Sequence, residues 1–229
     1  MKVLSVIVPA YNEERFIGTL LERIRAVNLA PLGYARELIV IDDCSSDRTA
    51  KIVAAQTDVR LIRQPKNAGK GAAVRAGLAA ATGDVVIIQD ADLEYDPQDH
   101  LKMLQVFISG RSQVVYGSRY MGTGRHANQT WAAYLGGRSL SLVGWLFTGT
   151  FLTDTVTALK MFPREMLQSL NLETSGFELD HEITAKVTAR GFTIVEVPIS
   201  YFPRSKAEGK KIGLQDWFIA VRTFSRYRR

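Results

Sequence analysis

Apolar residues gather into short runs that stop abruptly at polar loops, and each loop leads into a stretch with helical spacing. Residues 3–8 form a near-continuous apolar run closed by Pro9, which predicts a buried first strand. After the loop Pro9-Ala10-Tyr11-Asn12-Glu13-Glu14, the residues Phe16, Leu20, Ile24 and Val27 recur at helical intervals. The cycle repeats with a strand at 37–41, a helix at 49–55, a strand at 59–63, an alanine-rich helix at 72–81, a strand at 85–88, a helix at 97–109 and a strand at 114–116. Strand and helix alternating across short loops predict an α/β fold whose twisted sheet is mostly parallel, Rossmann-like and flanked by helices.

Beyond residue 120 the pattern changes. Residues 121–129 make a glycine-rich polar loop, and 131–150 read as a helix carrying Trp131, Leu135, Leu142, Trp145, Leu146 and Phe147. The first expectation for the two tryptophans is core packing. A short strand is predicted at 158–162, a helix from 176 to about 190, closing strands at 192–197 and 199–202, and an amphipathic helix at 214–227. These divisions predict one large unit over 1–200, with halves at about 1–120 and 121–200, followed by a basic loop and terminal helix at 201–229.

The most informative run is Val85-Val86-Ile87-Ile88-Gln89-Asp90-Ala91-Asp92-Leu93-Glu94. Four β-branched residues end in alternating carboxylates, and the carboxyl end of a strand is where open α/β sheets place their ligands. Asp90, Asp92 and Glu94 are therefore candidate ligands for one divalent cation holding a nucleoside diphosphate, against the plainer reading as turn and capping residues. Strand 37–41 likewise runs into Asp42-Asp43. The loop Asn67-Ala68-Gly69-Lys70-Gly71 lacks the spacing of a Walker phosphate loop, yet its amides and Lys70 stand at a helix amino terminus, which favours anions.

Composition narrows the class. The chain has 229 residues, 46% hydrophobic and 23% charged, as in ordinary globular proteins. The single cysteine, Cys44, excludes an internal disulfide framework and a cysteine-based zinc site, so a reducing compartment is the default. No signal peptide is visible, and the longest apolar stretch, 140–152, is too short and interrupted to span a bilayer. From residue 201 onward there are eight Lys/Arg against Glu208 and Asp216, so the tail accounts for the whole net charge of +6.

Six motifs in order resemble the family 2 glycosyltransferases of the GT-A fold, particularly the dolichol- and polyprenyl-phosphate sugar synthases. They are Ile7-Val8-Pro9-Ala10-Tyr11-Asn12-Glu13, Val40-Ile41-Asp42-Asp43-Cys44-Ser45-Ser46-Asp47, Asn67-Ala68-Gly69-Lys70-Gly71, Gln89-Asp90-Ala91-Asp92-Leu93, Gly117-Ser118-Arg119 and Glu208-Gly209-Lys210-Lys211-Ile212. The resemblance implies that Pro9, Tyr11 and Glu13 line a nucleotide pocket and that Asp42 or Asp43 holds the base. It makes Asp90 and Asp92 the family's D-x-D pair, with Glu94 as a possible third ligand of Mg²⁺ or Mn²⁺, and Arg204 an arginine that reaches the phosphates. It also implies inversion at the transferred sugar. Relatives often carry transmembrane helices and end the basic loop in G-x-S-K; here Lys210-Lys211 follow Gly209.

Two acceptors fit these residues. A lipid phosphate is mostly ionised at neutral pH and needs cations, for which Arg119 and Arg138 are candidates. A sugar hydroxyl must lose a proton, which calls for a carboxylate such as Asp154, Asp180 or Glu182. The expected activity is metal-dependent transfer from a UDP- or GDP-sugar to polyprenyl phosphate by a cytoplasmic protein held peripherally at an anionic membrane face by its basic, aromatic tail. Transfer to a saccharide hydroxyl, a nucleotide-sugar pyrophosphorylase and a basic nucleic-acid-binding module are the competing readings. The pyrophosphorylase's glycine-rich amino-terminal loop is missing, no nucleic-acid motif accompanies the tail, and no nucleic acid is expected as a partner.

Overall fold

A computed structural model of the chain describes residues 1–121, 126, 129–204 and 214–227. The strands are β1 (Lys2–Ala10), β2 (Tyr34–Asp42), β3 (Val59–Arg63), β4 (Val85–Ile88), β5 (Val114–Ser118), β6 (Lys160–Pro163) and β7 (Ile194–Pro198). The longer helices are α1 (Ile17–Arg25), α3 (Lys70–Ala80), α4 (Asp99–Ile108), α5 (Trp131–Thr148), α7 (Leu179–Ala189) and α8 (Leu214–Tyr227); α2 (Thr49–Ala54) and α6 (Arg164–Ser169) are short.

All seven strands join one sheet in the order β3-β2-β1-β4-β6-β5-β7. Every pairing is parallel except those of β6, which runs antiparallel between β4 and β5. The result is a mixed α/β sheet in which the predicted strand 158–162 starts two residues later and runs against its neighbours. The predicted strand 199–202 is not formed: Tyr201 makes one isolated bridge to Tyr95 and then turns into the site. Helix α6 was not anticipated from the sequence.

Alternation along β1 explains why it is central. Leu4, Val6 and Val8 face a core with α1 and α4, while Ile7 faces a second core shared with α3, α6 and α7. A strand covered on both faces reads as a continuous apolar run. Helix α3 lies close to the sheet because a Cβ on Gly77 would stand 2.6 Å from the Ile41 side chain. Helix α8 packs against α5 and α7: Phe224 stacks on His181 at 5.1 Å, and Trp217 donates to Ser139 Oγ at 2.9 Å. Among the described residues, no helix is long and apolar enough to cross a membrane.

Candidate functional site

The site forms where the carboxyl ends of β1, β2 and β4 meet the amino termini of α3 and α7. Past Ile88 the backbone leaves β4, and Leu93 takes a left-handed turn with φ 60°. Asp92 Oδ1 supports that turn by accepting the Glu94 amide at 3.1 Å. Its other oxygen, Oδ2, accepts from Arg204 Nη2 at 2.8 Å. Asp90 is held by Lys70, with Nζ 2.9 Å from Oδ1 and 3.2 Å from Oδ2.

Burial raises the pKa of both aspartates above the ordinary carboxylate range. The charges of Asp92 and Asp180 add to this effect at Asp90, and that of Glu94 does so at Asp92, against the opposing pull of Lys70 and Arg204. Two crowded hard-oxygen groups already attended by two cations have the donor chemistry a divalent cation requires.

Glu94 does not join them. Its carboxylate accepts the Tyr201 hydroxyl at 3.0 Å and the Arg204 amide at 2.8 Å, which fastens the segment carrying Arg204 to the turn after β4. Among the described residues no group of three metal-ligating side chains is gathered at one point, and Glu94 is engaged with Tyr201 and Arg204 instead. A pair suffices for Mg²⁺, which usually combines one or two carboxylates with substrate phosphates and water.

The nucleotide-side residues follow from β1 and β2. Pro9 is buried within β1, opposite Ile41. Asn12 has φ 56°, and the loop around it is laced to the loop after β2 by Asn12 N to Ser45 Oγ at 3.0 Å and Glu13 N to Thr49 Oγ1 at 2.8 Å. Tyr11 is at the surface of this loop, and Glu13 lies 3.3 Å from Arg204 Nη1. Asp43 braces the glycine-lysine loop, accepting the amides of Ala68 and Gly69 at 2.8 Å each. Asp42 is fully buried. Its Oδ1 accepts the Ser45 amide at 3.2 Å, and its Oδ2 forms an ion pair with Arg63 Nε at 3.1 Å without hydrogen-bond geometry.

Lys70 opens α3 after Gly69, whose φ is 92°. A Cβ on Gly71 would stand 2.6 Å from the Thr174 carbonyl, so the two glycines let the loop before α7 lie directly on the start of α3. That contact brings in Asp180: Oδ2 is 3.3 Å from Lys70 Nζ, and Oδ1 is 2.8 Å from Nζ of Lys160, a lysine with no exposed surface. Burial alone would raise the pKa of Asp180, but Lys160 and Lys70 outweigh it and hold the carboxylate below its ordinary range.

The other two candidate bases are similarly committed. Asp154, fully buried, accepts from Arg119 Nε and Nη2 at 2.7 Å each and from the Arg119 amide at 3.0 Å. Glu182 accepts the amides of Glu173 and Thr174 at 2.8 and 2.9 Å and pairs with Lys186 at 2.6 Å; these contacts hold its pKa low against burial. Arg119 also packs against the Tyr201 and Tyr120 rings, at 5.1 and 5.3 Å, and Arg138 stands 5.9 Å from the Tyr120 ring with Nη1 on the Thr153 carbonyl at 2.7 Å. The two arginines thus share one aromatic corner.

The tryptophans of α5 are not core residues. Trp131 is 63% and Trp145 43% exposed; together with Leu135, Leu142 and Leu146 they form one outward stripe, and Phe218 and Ile219 of α8 are exposed too. Of the basic loop, only Pro203 and Arg204 are described; Lys206, Lys210 and Lys211 lie outside the described residues. Lys160 and Tyr201 were missed as site residues. The signal for Lys160 was a lone charge inside Ala158-Leu159-Lys160-Met161-Phe162; Tyr201 sat in what read as a strand.

The pattern of glycosyl transferase family 2 matches residues 5–170. Dolichol-phosphate mannosyltransferase of Pyrococcus furiosus is 33% identical over 223 residues, covering 93% of this chain and 60% of that protein. UDP-N-acetylglucosamine–dolichyl-phosphate N-acetylglucosaminyltransferase of Methanococcus voltae is 27% identical, covering 92% of this chain and 91% of that one. In fold, the chain resembles glucosyl-3-phosphoglycerate synthase from Mycobacterium tuberculosis, solved with Mn²⁺, UDP and glucosyl-3-phosphoglycerate. The TM-score is 0.74 at 21% identity, over 99% of this chain and 78% of that one.

Proposed function

The chain belongs to glycosyl transferase family 2, and from that premise we propose that it transfers a sugar, with inversion, from a nucleoside-diphosphate sugar to polyprenyl phosphate at a membrane surface. Membership favours a transferase over a nucleotide-sugar pyrophosphorylase or a nucleic-acid-binding module. The chain spans 60% of the length of the Pyrococcus relative, whose name, like that of the Methanococcus protein, specifies a dolichyl-phosphate acceptor.

The observation that carries the choice of acceptor is the commitment of all three candidate bases. Asp154 is paired with Arg119, Asp180 is shared by two lysines and Glu182 holds a loop and Lys186. A saccharide hydroxyl needs a carboxylate with proton affinity to spare. A phosphate monoester, with a second pKa near 6, arrives as the anion.

In this reading one lipid-phosphate oxygen forms the bond to the anomeric carbon as the bond to the nucleoside diphosphate breaks, and no proton need be removed. Asp154 fixes the guanidinium of Arg119, which with Arg138 orients the acceptor phosphate. Asp42 would receive the base, Asp43 shapes the loop that presents Lys70, and Asp90 and Asp92 would hold Mg²⁺ or Mn²⁺. When bound, the cation supplies Lewis-acid neutralisation of the leaving diphosphate. Arg204, which now touches Asp92 and Glu13, would meet that diphosphate.

The exposed stripe of α5 with Phe218 and Ile219 of α8 fits the headgroup region, where Trp side chains are at home, and the exposed Arg222 complements an anionic leaflet. The test is incubation with labelled UDP- and GDP-sugars, Mn²⁺, and vesicles containing polyprenyl phosphate. Label should enter the lipid fraction; label reaching only a soluble saccharide would refute the lipid acceptor.

A further inference from the structure

Lys160 has no part in the chemistry above, yet it is the most deeply buried cation near the site. Its Nζ donates to Asp180 Oδ1 at 2.8 Å and to the Thr157 carbonyl, and lies 5.0 Å from the Tyr116 ring. Asp180 turns its other oxygen to Lys70 at 3.3 Å, and Lys70 reaches Asp90 at 2.9 Å. Four buried or nearly buried charges therefore alternate from β6 through α7 and α3 to the end of β4. The chain ends on a carboxylate assigned to the metal.

The alternation makes Lys70 a shared cation. It stands between Asp90 and Asp180, and its hold on each depends on how much of Asp180's charge Lys160 has already neutralised. A buried Lys–Asp pair kept for stability alone would be replaceable by an apolar–neutral pair with little consequence at the metal. Here the pair touches the one cation that competes with a metal for Asp90.

We propose that Lys160 and Asp180 are positioning residues that set how tightly Lys70 holds Asp90, and so how readily Asp90 is released to a divalent cation. The inference rests on the reading of Asp90 and Asp92 as metal ligands. Without Lys160, Asp180 draws Lys70 away and Asp90 is released; with Asp180 neutral, Lys70 settles on Asp90 and excludes the metal.

The test is Mn²⁺ binding to the full chain without donor, followed by the electron paramagnetic resonance signal of free Mn²⁺. Asp180→Asn should weaken binding about tenfold and Lys160→Met should tighten it by a similar factor. Both shifts should collapse in a Lys70→Met background, because a double-mutant cycle isolates what passes through that lysine. Thermal melts report whether each variant folds; if Lys160→Met does not, Asp180→Asn in the two backgrounds decides. Unchanged affinity, or shifts that persist undiminished without Lys70, would overturn the proposal. Wild type and Asp92→Asn binding Mn²⁺ equally, or neither binding it, would instead remove the metal reading and the inference with it.

Discussion

The carboxylates at the end of β4, Asp90 and Asp92, differ in kind from Asp154 and Asp180: the first two are partly exposed and the second two buried. Asp90 and Asp92 crowd one another, have raised pKa values and are attended by flexible side chains, Lys70 and Arg204, that can move. Asp154 meets a rigid bidentate partner, while Asp180 lies between two lysines that lower its pKa. The first set is arranged to exchange one cation for another; the second fixes the cations around it. In the proposed reading, that difference separates groups that would bind substrate from groups that hold the site together.

The comparison can be broken most severely at its two extremes. Asp154→Asn leaves Arg119 buried without its counter-charge and should cost about 3–5 kcal/mol of stability in urea unfolding; a rate loss at unchanged stability would make Asp154 a base after all. Asp92→Ala should lower transfer on the order of 10³-fold and abolish metal-dependent donor binding while the melting temperature holds, as isothermal titration and thermal melts would show. Full activity in that variant would remove the metal assignment.

A smaller effect is expected at the acceptor corner. Arg138→Ala should raise KM for polyprenyl phosphate about tenfold and leave KM for the donor unchanged, since charge-assisted contacts to a phosphate contribute about 1.5–3 kcal/mol. Equal changes in both KM values would mean a general loosening of the fold.

Acid stability gives the mildest and broadest check. Burial lowers His100 to about 3 and His181 to about 4, beneath the value near 6.5 of the unfolded chain. Between those limits the unfolded chain binds the extra protons. Stability is therefore full above about pH 6.5 and falls as pH drops, by about 1.4 kcal/mol per unit for each histidine. His100 lies under the end of β4 and His181 on α7, but one sheet carries both sides, so a single urea transition should carry the whole slope. Two separate transitions would divide the molecule.

The sheet was legible because burial on both faces writes itself as apolar runs, as in Val85-Val86-Ile87-Ile88. The antiparallel direction of β6 was not, since a four-residue run has no direction in its composition. Asp90, Asp92 and Asp42 were expected at strand ends, and they lie there. The diversion of Glu94 to Tyr201 and Arg204 could not be read from the sequence, because its partners lie more than a hundred residues away. The tryptophans of α5 misled for a related reason: an apolar stripe has the same spacing whether it faces a core or the outside.

In the proposed reaction the acceptor attacks as a pre-formed anion, because the candidate bases Asp154, Asp180 and Glu182 are each committed to other partners. The most direct measurement offers the same polyprenyl chain as phosphate and as alcohol, in identical vesicles with labelled donor and Mn²⁺. Transfer to the phosphate alone is the predicted result. Comparable transfer to the alcohol would contradict it.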